Sequence, residues 1–314
     1  MKHLCQILGI KYPIIQGGMG NISNAKLTSA VSEAGGLGTI GAGTMTPDEL
    51  EKIIIETKER TNRPFSVNIA ITVTPYLEDI VSVVLKHKVP VVSLSAGDPT
   101  PFIERFHKEN AKVIVVAGAV RHAKKAEAAN ADAVVVEGYE AAGINSNYEL
   151  TTLTLVPQVV RAVNIPVIAA GGIANGRALA AMFMLGASGV QIGTRLIATK
   201  EAPFSENYKQ RIIEATDTDT VIVGRKVNRV RRVLKTPYAG MLLNKEKGDF
   251  TLEEFNELTS EKYHKIGAIE GNLEKGFING GQISGLIDDI PSVQELFERM
   301  IQEANEAVKS WQPL

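Results

Sequence analysis

The stretch IPVIAAGGIANGRALAAMFMLGASGVQIGTR, residues 165–195, holds two short apolar runs with a helical pattern between them. The runs are PVIAA at 166–170 and GVQI at 189–192, and a glycine-containing turn follows each of them. Apolar runs without alternating polar residues are typical of strands in a parallel sheet that is covered on both faces. We therefore interpret this stretch as a strand, a crossover helix and a second parallel strand.

Six further apolar runs precede this stretch, and the starting positions of the eight runs lie 20 to 34 residues apart. The six runs are PIIQ (13–16), LGTIG (37–41), FSVNIA (65–70), PVVSLS (90–95), KVIVVA (112–117) and DAVVVE (132–137). The spacing is about the length of a strand–helix unit, and eight such units make a closed barrel. The sequence therefore predicts an α/β fold of the (β/α)8 TIM-barrel type.

The regular spacing ends after the eighth run. Residues 217–290 contain a basic segment, a charged helical stretch and a glycine-rich segment, and an amphipathic helix follows from Ser292 to about Lys309. We predict that residues 1–216 and 291–314 form the barrel and that residues 217–290 form a cap inserted over its mouth. The last helix would then close the outer ring of helices.

The composition of the 314 residues is that of a globular protein, with 44% hydrophobic and 22% charged residues. The net charge of −1 creates no overall field that would favour nucleic acid or an anionic membrane as a partner. A single cysteine, Cys5, excludes an intramolecular disulfide. Since no signal core and no apolar stretch of about 18 residues occurs, we expect a cytoplasmic protein. The sequence does not determine its oligomeric state.

The turns after the seventh and eighth runs contain Gly171, Gly172, Gly193 and Thr194. In TIM barrels these two loops commonly bind a phosphate group, because glycine lets backbone N–H groups approach the phosphate oxygens. The alternative is that the glycines only permit tight turns between strand and helix. Two glycine turns at the ends of neighbouring strands favour the phosphate site.

Small residues also follow the first strands of the predicted barrel. The first run leads into QGGMG (16–20), the second into GAG (41–43), and the third contains Asn68. Such a lining would suit a flat ring that lies on the backbone. Neither GxGxxG after a strand nor GxxxxGK[ST] is present, so the fingerprints of Rossmann and P-loop nucleotide sites are missing.

Eight blocks of the sequence resemble one known enzyme family. They lie between about residues 4 and 205 and at 269–287, and they read KYPIIQGGM, SEAGGLGTIGAG, RPFSVNIA, ADAVVVEGYEAAG, LTTLTLVPQVV, IPVIAAGGIANG, GASGVQIGTRLIATKE and IEGNLEKGFINGGQISGLI. The chain is similar to the FMN-dependent nitronate monooxygenases, formerly called 2-nitropropane dioxygenases, and to the related flavin-dependent enoyl-acyl-carrier-protein reductases. The resemblance implies an oxidoreductase with a TIM barrel that binds FMN.

The resemblance also implies which residues bind the cofactor. The FMN phosphate would lie at the two glycine turns already described, on Gly171, Gly172, Gly193 and Thr194. The flavin would contact Gly17, Gly18, Met19, Asn68 and Gln191. The phosphate site thus follows both from the glycine turns and from the resemblance, whereas the flavin follows from the resemblance alone.

The loop after the sixth run departs from the family pattern. Both branches of the family typically carry a histidine there that faces the flavin, whereas this chain reads AAGINSNYELTT at 141–152. The substrate pocket implied at this loop comprises Gly143, Asn145 and Ser146. Asn145 and Ser146 would either orient a nitro, nitronate or thioester oxygen or serve only as turn residues. The catalytic residue stays unassigned, and of the five histidines only His264 in the cap would come near the mouth.

The missing histidine matters differently for different substrates. Removing a carbon-bound proton from a neutral nitroalkane requires a base of suitable pKa, which Asn and Ser cannot provide. A nitronate is already an anion and needs only electron transfer to the flavin and access for oxygen. The sequence therefore favours a nitronate monooxygenase that oxidises small alkyl nitronates with O2.

A basic run, GRKVNRVRRVLK at 224–235, keeps an alternative open. It is either a solvated face or a docking site for the phosphates of NAD(P)H, for a phosphopantetheine arm or for an acidic carrier protein. The alternative function is an NAD(P)H-dependent FMN enoyl-acyl-carrier-protein reductase with an acyl carrier protein as partner. A second alternative is a flavin-binding protein without turnover.

Three acidic residues, Glu137, Glu140 and Glu149, lie in and after the sixth run. They lack the histidines or cysteines that a transition-metal site would usually add, so we expect no metal. For Glu137 the expected role is to accept hydrogen bonds from amides of the neighbouring loop.

Overall fold

Eight parallel strands form a closed barrel in the computed structural model, which describes residues 2–310. The strands are β1 (Ile14–Gln16), β2 (Gly38–Gly41), β3 (Phe65–Ala70), β4 (Val91–Ser95), β5 (Lys112–Ala117), β6 (Ala133–Glu137), β8 (Val167–Ala170) and β9 (Gly189–Ile192). Each pairs with its neighbour, β1 pairs with β9, and a parallel bridge between Ile15 and Leu37 joins β1 to β2. The predicted TIM barrel is confirmed, with all eight strands at the predicted apolar runs.

Helices cover the outside of the barrel. Those that connect successive barrel strands are α2 (Ala25–Glu33), α3 (Pro47–Arg60), α4 (Leu77–Lys86), α5 (Thr100–Lys108), α6 (Val120–Ala128), α7 (Thr152–Val160) and α8 (Gly176–Met184). The others are α1 (Lys2–Leu8), α9 (Thr194–Ile197), α10 (Glu206–Ile213), α11 (Pro237–Lys245), α12 (Leu252–Leu258), α13 (Glu261–Ala268) and α14 (Val293–Ser310). The amphipathic helix α14 packs against α8 and α2. No helix within residues 2–310 is long and apolar enough to cross a membrane.

The two-residue period of a strand decides which side chains enter the barrel. In β6, Val134 and Val136 pack outward with residues of α6 and α7, whereas Ala133 and Val135 belong to the core cluster inside the barrel. Glu137, the last residue of β6, continues the inward row. The helix α1 contributes Leu4 and Leu8 to the same inner cluster. These apolar side chains fill the lower part of the barrel, and Glu137 lies at its carboxyl end.

A small antiparallel sheet, which the sequence analysis did not predict, lies beside the carboxyl end of the barrel. Its strands are β7 (Gly143–Ile144), β10 (Thr220–Val223) and β11 (Arg231–Leu234), in the order β10–β11–β7. Strand β11 pairs with β7 in the loop after β6, and a further bridge joins Val233 to Asn279. Part of the predicted cap is therefore attached by backbone hydrogen bonds to the loop in which the substrate pocket was predicted.

Candidate active site

A cavity of about 730 Å³ opens at the carboxyl ends of the barrel strands. Asn68 of β3, Glu137 of β6 and Gln191 of β9 project into it from inward-facing strand positions. Loops after the strands form its sides, and residues 231–283 contribute its cover. This end of the barrel is where TIM-barrel enzymes place their chemistry.

All twelve residues predicted for cofactor and substrate line this one cavity. They are Gly17, Gly18, Met19, Asn68, Gly143, Asn145, Ser146, Gly171, Gly172, Gln191, Gly193 and Thr194. Their positions along the chain span about 180 residues, and the closed barrel brings the four loops and two strands that carry them to one mouth. The binding role of each residue stays a prediction.

The two glycine turns present free backbone donors to the cavity. Within residues 2–310 the backbone N–H groups of Gly172, Gly193 and Thr194 have no hydrogen-bond acceptor. Thr194 is buried, and its Oγ1 accepts a hydrogen bond of 3.0 Å from the backbone N–H of Gly281. No heavy atom lies within 4 Å of the position that a Cβ at Gly193 would take. Buried N–H groups without a partner are costly, so this corner is suited to an anion with several oxygens.

The opposite side of the cavity is lined by backbone held at close range. A Cβ at Gly18 would lie 2.8 Å from Oδ1 of Asn68, so only glycine fits there without displacing that side chain. Asn68 is fixed by hydrogen bonds from its Nδ2 to Oγ of Ser93 (3.1 Å) and to Oγ of Ser95 (3.2 Å). Gly18 therefore brings its backbone close to a side chain that is held in place on this side of the cavity.

The loop after β6 is held together by its own polar side chains. Nδ2 of Asn145 donates to the backbone oxygens of Ala141 (2.9 Å) and Gly143 (3.2 Å), so both amide hydrogens are used within the loop. The hydroxyl oxygen of Ser146 accepts a hydrogen bond from the backbone N–H of Tyr148, and its own hydrogen has no acceptor among residues 2–310. Of the two residues expected to orient a substrate oxygen, only Ser146 retains a donor for that purpose.

Glu140, and not Glu137 as expected, accepts hydrogen bonds from the neighbouring loop. The carboxylate of Glu140 accepts hydrogen bonds from the backbone N–H and the hydroxyl group of Thr152, at 2.9 to 3.0 Å. Glu137 has no hydrogen-bond partner within the described part of the chain, because its strand position directs it into the barrel rather than toward the loop. Burial raises the pKa of Glu137 to about 7. The cavity therefore contains a carboxyl group that titrates near neutral pH.

Four polar residues from the segment predicted to form the cap line the cavity opposite the strand ends. They are Arg231, Glu261, His264 and Asn279. Nδ1 of His264 lies 3.3 Å from Oε2 of Glu261, and Nδ2 of Asn279 lies 3.1 Å from Nε2 of the same imidazole. Oδ1 of Asn279 is buried without a donor among residues 2–310, which leaves an acceptor for an N–H group of a ligand. His264 thus faces the mouth, but both of its nitrogens are already engaged.

The basic run at 224–235 does not form one charged face. Arg225 pairs with Glu149 at 3.0 Å, and Arg229 is exposed. Arg232 is only 3% exposed, and Arg231 is half-buried in the cavity wall. The interpretation of the run as a solvated face or docking site is therefore wrong for Arg232. Arg231 leaves strand β11 on the opposite side and lines the cavity instead.

Replacing Arg232 by methionine should destabilise the protein. Arg232 donates to the backbone oxygen of Tyr139 from Nε (3.1 Å) and Nη2 (2.9 Å) and to Oγ1 of Thr220 from Nη1 (3.1 Å). The Arg232→Met variant leaves these acceptors without a donor, which typically costs about 1 to 3 kcal/mol. Urea unfolding should give a correspondingly lower free energy of unfolding, whereas Arg229→Met should be close to neutral. Equal stability of the two variants would contradict this structural role.

Sequence reasoning missed most of the cap residues that line the cavity. Arg231 stood out only as a member of the basic run, and nothing in the sequence singled out Glu261 or Asn279. His264 was noted as a histidine near the mouth without a partner. Within residues 2–310 no group of three or more His, Cys, Asp or Glu residues could hold a metal ion.

A family model described as nitronate monooxygenase matches residues 1–80 and 71–303. A curated relative from Mycobacterium tuberculosis, named (3aS,4S,5R,7aS)-5-hydroxy-7a-methyl-1-oxo-octahydro-1H-indene-4-carboxyl-CoA dehydrogenase, is 34% identical over 96% of this chain and 95% of its own length. A probable nitronate monooxygenase from Staphylococcus saprophyticus is 32% identical and covers 96% of both chains.

Solved structures of related proteins also resemble this chain over nearly its whole length. FabK from Thermotoga maritima superposes with a TM-score of 0.92 and 43% identity, over 98% of this chain and 96% of that one. A nitroalkane oxidase from Streptomyces ansochromogenes superposes with a TM-score of 0.86 and 27% identity, over 98% and 99% of the two chains. These relatives are oxidoreductases, and this protein is an enzyme of the same class. The chain belongs to the nitronate monooxygenase family.

Proposed function

We propose that this enzyme is an FMN-dependent oxidoreductase that oxidises small alkyl nitronates with O2. The observation that carries the proposal is the set of three free backbone N–H groups, on Gly172, Gly193 and Thr194, in neighbouring loops at the barrel mouth. A terminal phosphate supplies the several oxygens that such donors need. FMN ends in one phosphate, whereas the fingerprint of a dinucleotide site is missing from the sequence.

The rest of the cavity fits the ring of FMN. Gly17, Gly18 and Met19 offer a flat backbone wall, and the amide of Gln191 has no hydrogen-bond partner among the described residues. The buried Oδ1 of Asn279 awaits a donor, and the isoalloxazine ring carries an N–H group. When bound, the flavin supplies the transfer of electrons between substrate and oxygen. The protein would hold the phosphate, orient the ring and shape the space for the substrate.

The lining of the substrate side favours a small polar substrate over an acyl chain. Arg231, Glu261, His264 and Asn279 place charged and amide groups where an apolar tail would need hydrophobic walls. The loop at 141–152 contains no histidine to remove a carbon-bound proton. Both features suit a substrate that arrives already ionised, as a nitronate does.

A second candidate function is an NAD(P)H-dependent enoyl thioester reductase. The 43% identity to FabK over nearly the whole chain favours it. The exposed cations Arg229 and Lys235 would be available to a carrier protein or a nucleotide phosphate, although Arg225 is paired with Glu149. The polar cover of the cavity is unfavourable for this function.

Steady-state assays of the purified holoenzyme distinguish the two functions. We expect oxygen uptake with preformed propyl-1-nitronate, at a kcat/KM at least about tenfold above that for neutral 1-nitropropane, because the loop offers no histidine base. We expect no NADH or NADPH oxidation that depends on crotonyl-CoA or crotonyl-acyl carrier protein. Thioester-dependent oxidation of NAD(P)H without nitronate turnover would replace the proposed function by the second one.

A further inference from the structure

The two adjacent arginines of β11 have different tasks because successive side chains of a strand point to opposite faces. Arg232 points away from the cavity and donates hydrogen bonds to Tyr139 and Thr220. Arg231 points into the cavity, and its guanidinium group lies over the ring of Phe277 with its carbon 4.9 Å from the ring centre. The aromatic face fixes the plane of the guanidinium and leaves its N–H edges free.

Arg231 has no protein acceptor for those N–H groups. Within residues 2–310 it makes no side-chain hydrogen bond and no ion pair within 4 Å, whereas the other long cation in the cavity wall, Lys125, is paired with Asp98 at 2.9 Å. Glu261 is near enough to interact with Arg231 through its charge, but it does not approach within ion-pair distance and instead contacts His264. The donors of Arg231 are therefore available to a ligand.

An unpaired guanidinium in a half-buried position is unfavourable unless something compensates for the lost water. Burial lowers the pKa of Arg231, yet an arginine side chain keeps its proton at any physiological pH. The charge therefore persists in the cavity and attracts an anion. A planar group with two oxygens satisfies two parallel N–H donors at once, which gives orientation as well as affinity.

We propose that Arg231 binds the two oxygens of a planar anionic group of the substrate, a nitronate or a carboxylate. This inference rests on the proposed function in so far as it places the anion beside the flavin. It deepens that function by assigning the selection of an anionic substrate to a residue of the cap region. The site differs from the phosphate corner, where backbone N–H groups of the glycine turns are the donors.

The test compares Arg231→Met and Arg231→Lys with the control Arg225→Met in the FMN-loaded enzyme. Propionate, a carboxylate with the same planar two-oxygen group, is titrated while the flavin absorbance is recorded, and KM is measured for propyl-1-nitronate. We expect Arg231→Met to weaken propionate binding and to raise the nitronate KM, each at least about tenfold. The effect of Arg231→Lys should be smaller, because lysine keeps the charge but lacks the two parallel N–H donors of arginine. Flavin content should be unchanged, and Arg225→Met, which is outside the cavity, should behave like the wild type.

The outcomes separate the anion site from the reaction. Propionate binding that depends on Arg231 in an enzyme without nitronate turnover would support the anion site and overturn the proposed function. A raised nitronate KM with unaltered propionate binding would restrict the site to nitronates. Unchanged values of both constants in Arg231→Met and Arg231→Lys, or a wild-type enzyme that binds neither anion, would overturn the inference.

Discussion

A Gly193→Asp variant is expected to fold but to purify without FMN. Gly193 has a negative φ of −125°, and open space surrounds the position of its missing Cβ, so the new side chain meets no clash. The new carboxylate would enter the corner where the phosphate dianion is proposed to bind. Two like charges about 4 Å apart at an effective dielectric of 20 repel each other by about 4 kcal/mol per pair of unit charges. We therefore expect FMN affinity to fall at least about a hundredfold.

Release of flavin on denaturation and fluorescence titration of the apoprotein measure this loss. The matched control is Gly240→Asp in α11, where a Cβ also meets nothing within 4 Å and where no cavity residue lies. It should retain its FMN. Gly172→Asp is a poorer test, because Gly172 has φ +73° and its Cβ would lie 3.6 Å from the side chain of Glu140. Normal FMN affinity in Gly193→Asp would mean that the phosphate binds at a different loop.

The barrel could be predicted because its strands carry a local signal. A strand such as β5, KVIVVA, is covered on both faces, so every residue after Lys112 is apolar and the run is visible in the sequence. Two strands of the small sheet, β7 and β11, lack that signal. Strand β11 begins with the adjacent residues Arg231 and Arg232, and β7 has only two residues. The pairing of β11 with β7 joins segments more than 80 residues apart.

Some residues of the candidate site could be predicted from the sequence, and others could not. Gly171, Gly172 and Gly193 sit in turns that directly follow strands, so the closed barrel alone places them at the mouth. Arg231, by contrast, becomes a cavity residue only through the register of β11 on β7. The guanidinium group of Arg231 has no hydrogen-bond acceptor among the described residues, whereas that of Arg232 makes three hydrogen bonds. This difference results from packing, and no pattern in the sequence shows which of the two arginines is engaged.

A Glu137→Gln variant should be more stable than the wild type above neutral pH and equally stable in mild acid. Burial raises the pKa of Glu137 from 4.5 to about 7 in the folded protein, so folding favours the protonated carboxyl group. That contribution to stability is fully present below pH 4.5, declines as the pH rises, and is lost above about pH 7. A difference of about 2.5 pKa units corresponds to about 3 kcal/mol, at about 1.4 kcal/mol per unit.

The measurement is urea unfolding of both proteins at pH 5 and pH 8.5, with the same FMN concentration throughout. Glutamine preserves the shape of the protonated carboxyl group and cannot ionise, so the difference between variant and wild type isolates the cost of the charge. We expect Glu137→Gln to gain about 2 to 3 kcal/mol over the wild type at pH 8.5 and less than about 1 kcal/mol at pH 5. The exposed Glu253 provides the control, since Glu253→Gln should show no such pH-dependent difference. No gain at pH 8.5 would mean that a cation or a hydrogen-bond donor compensates the charge of Glu137 in the cavity.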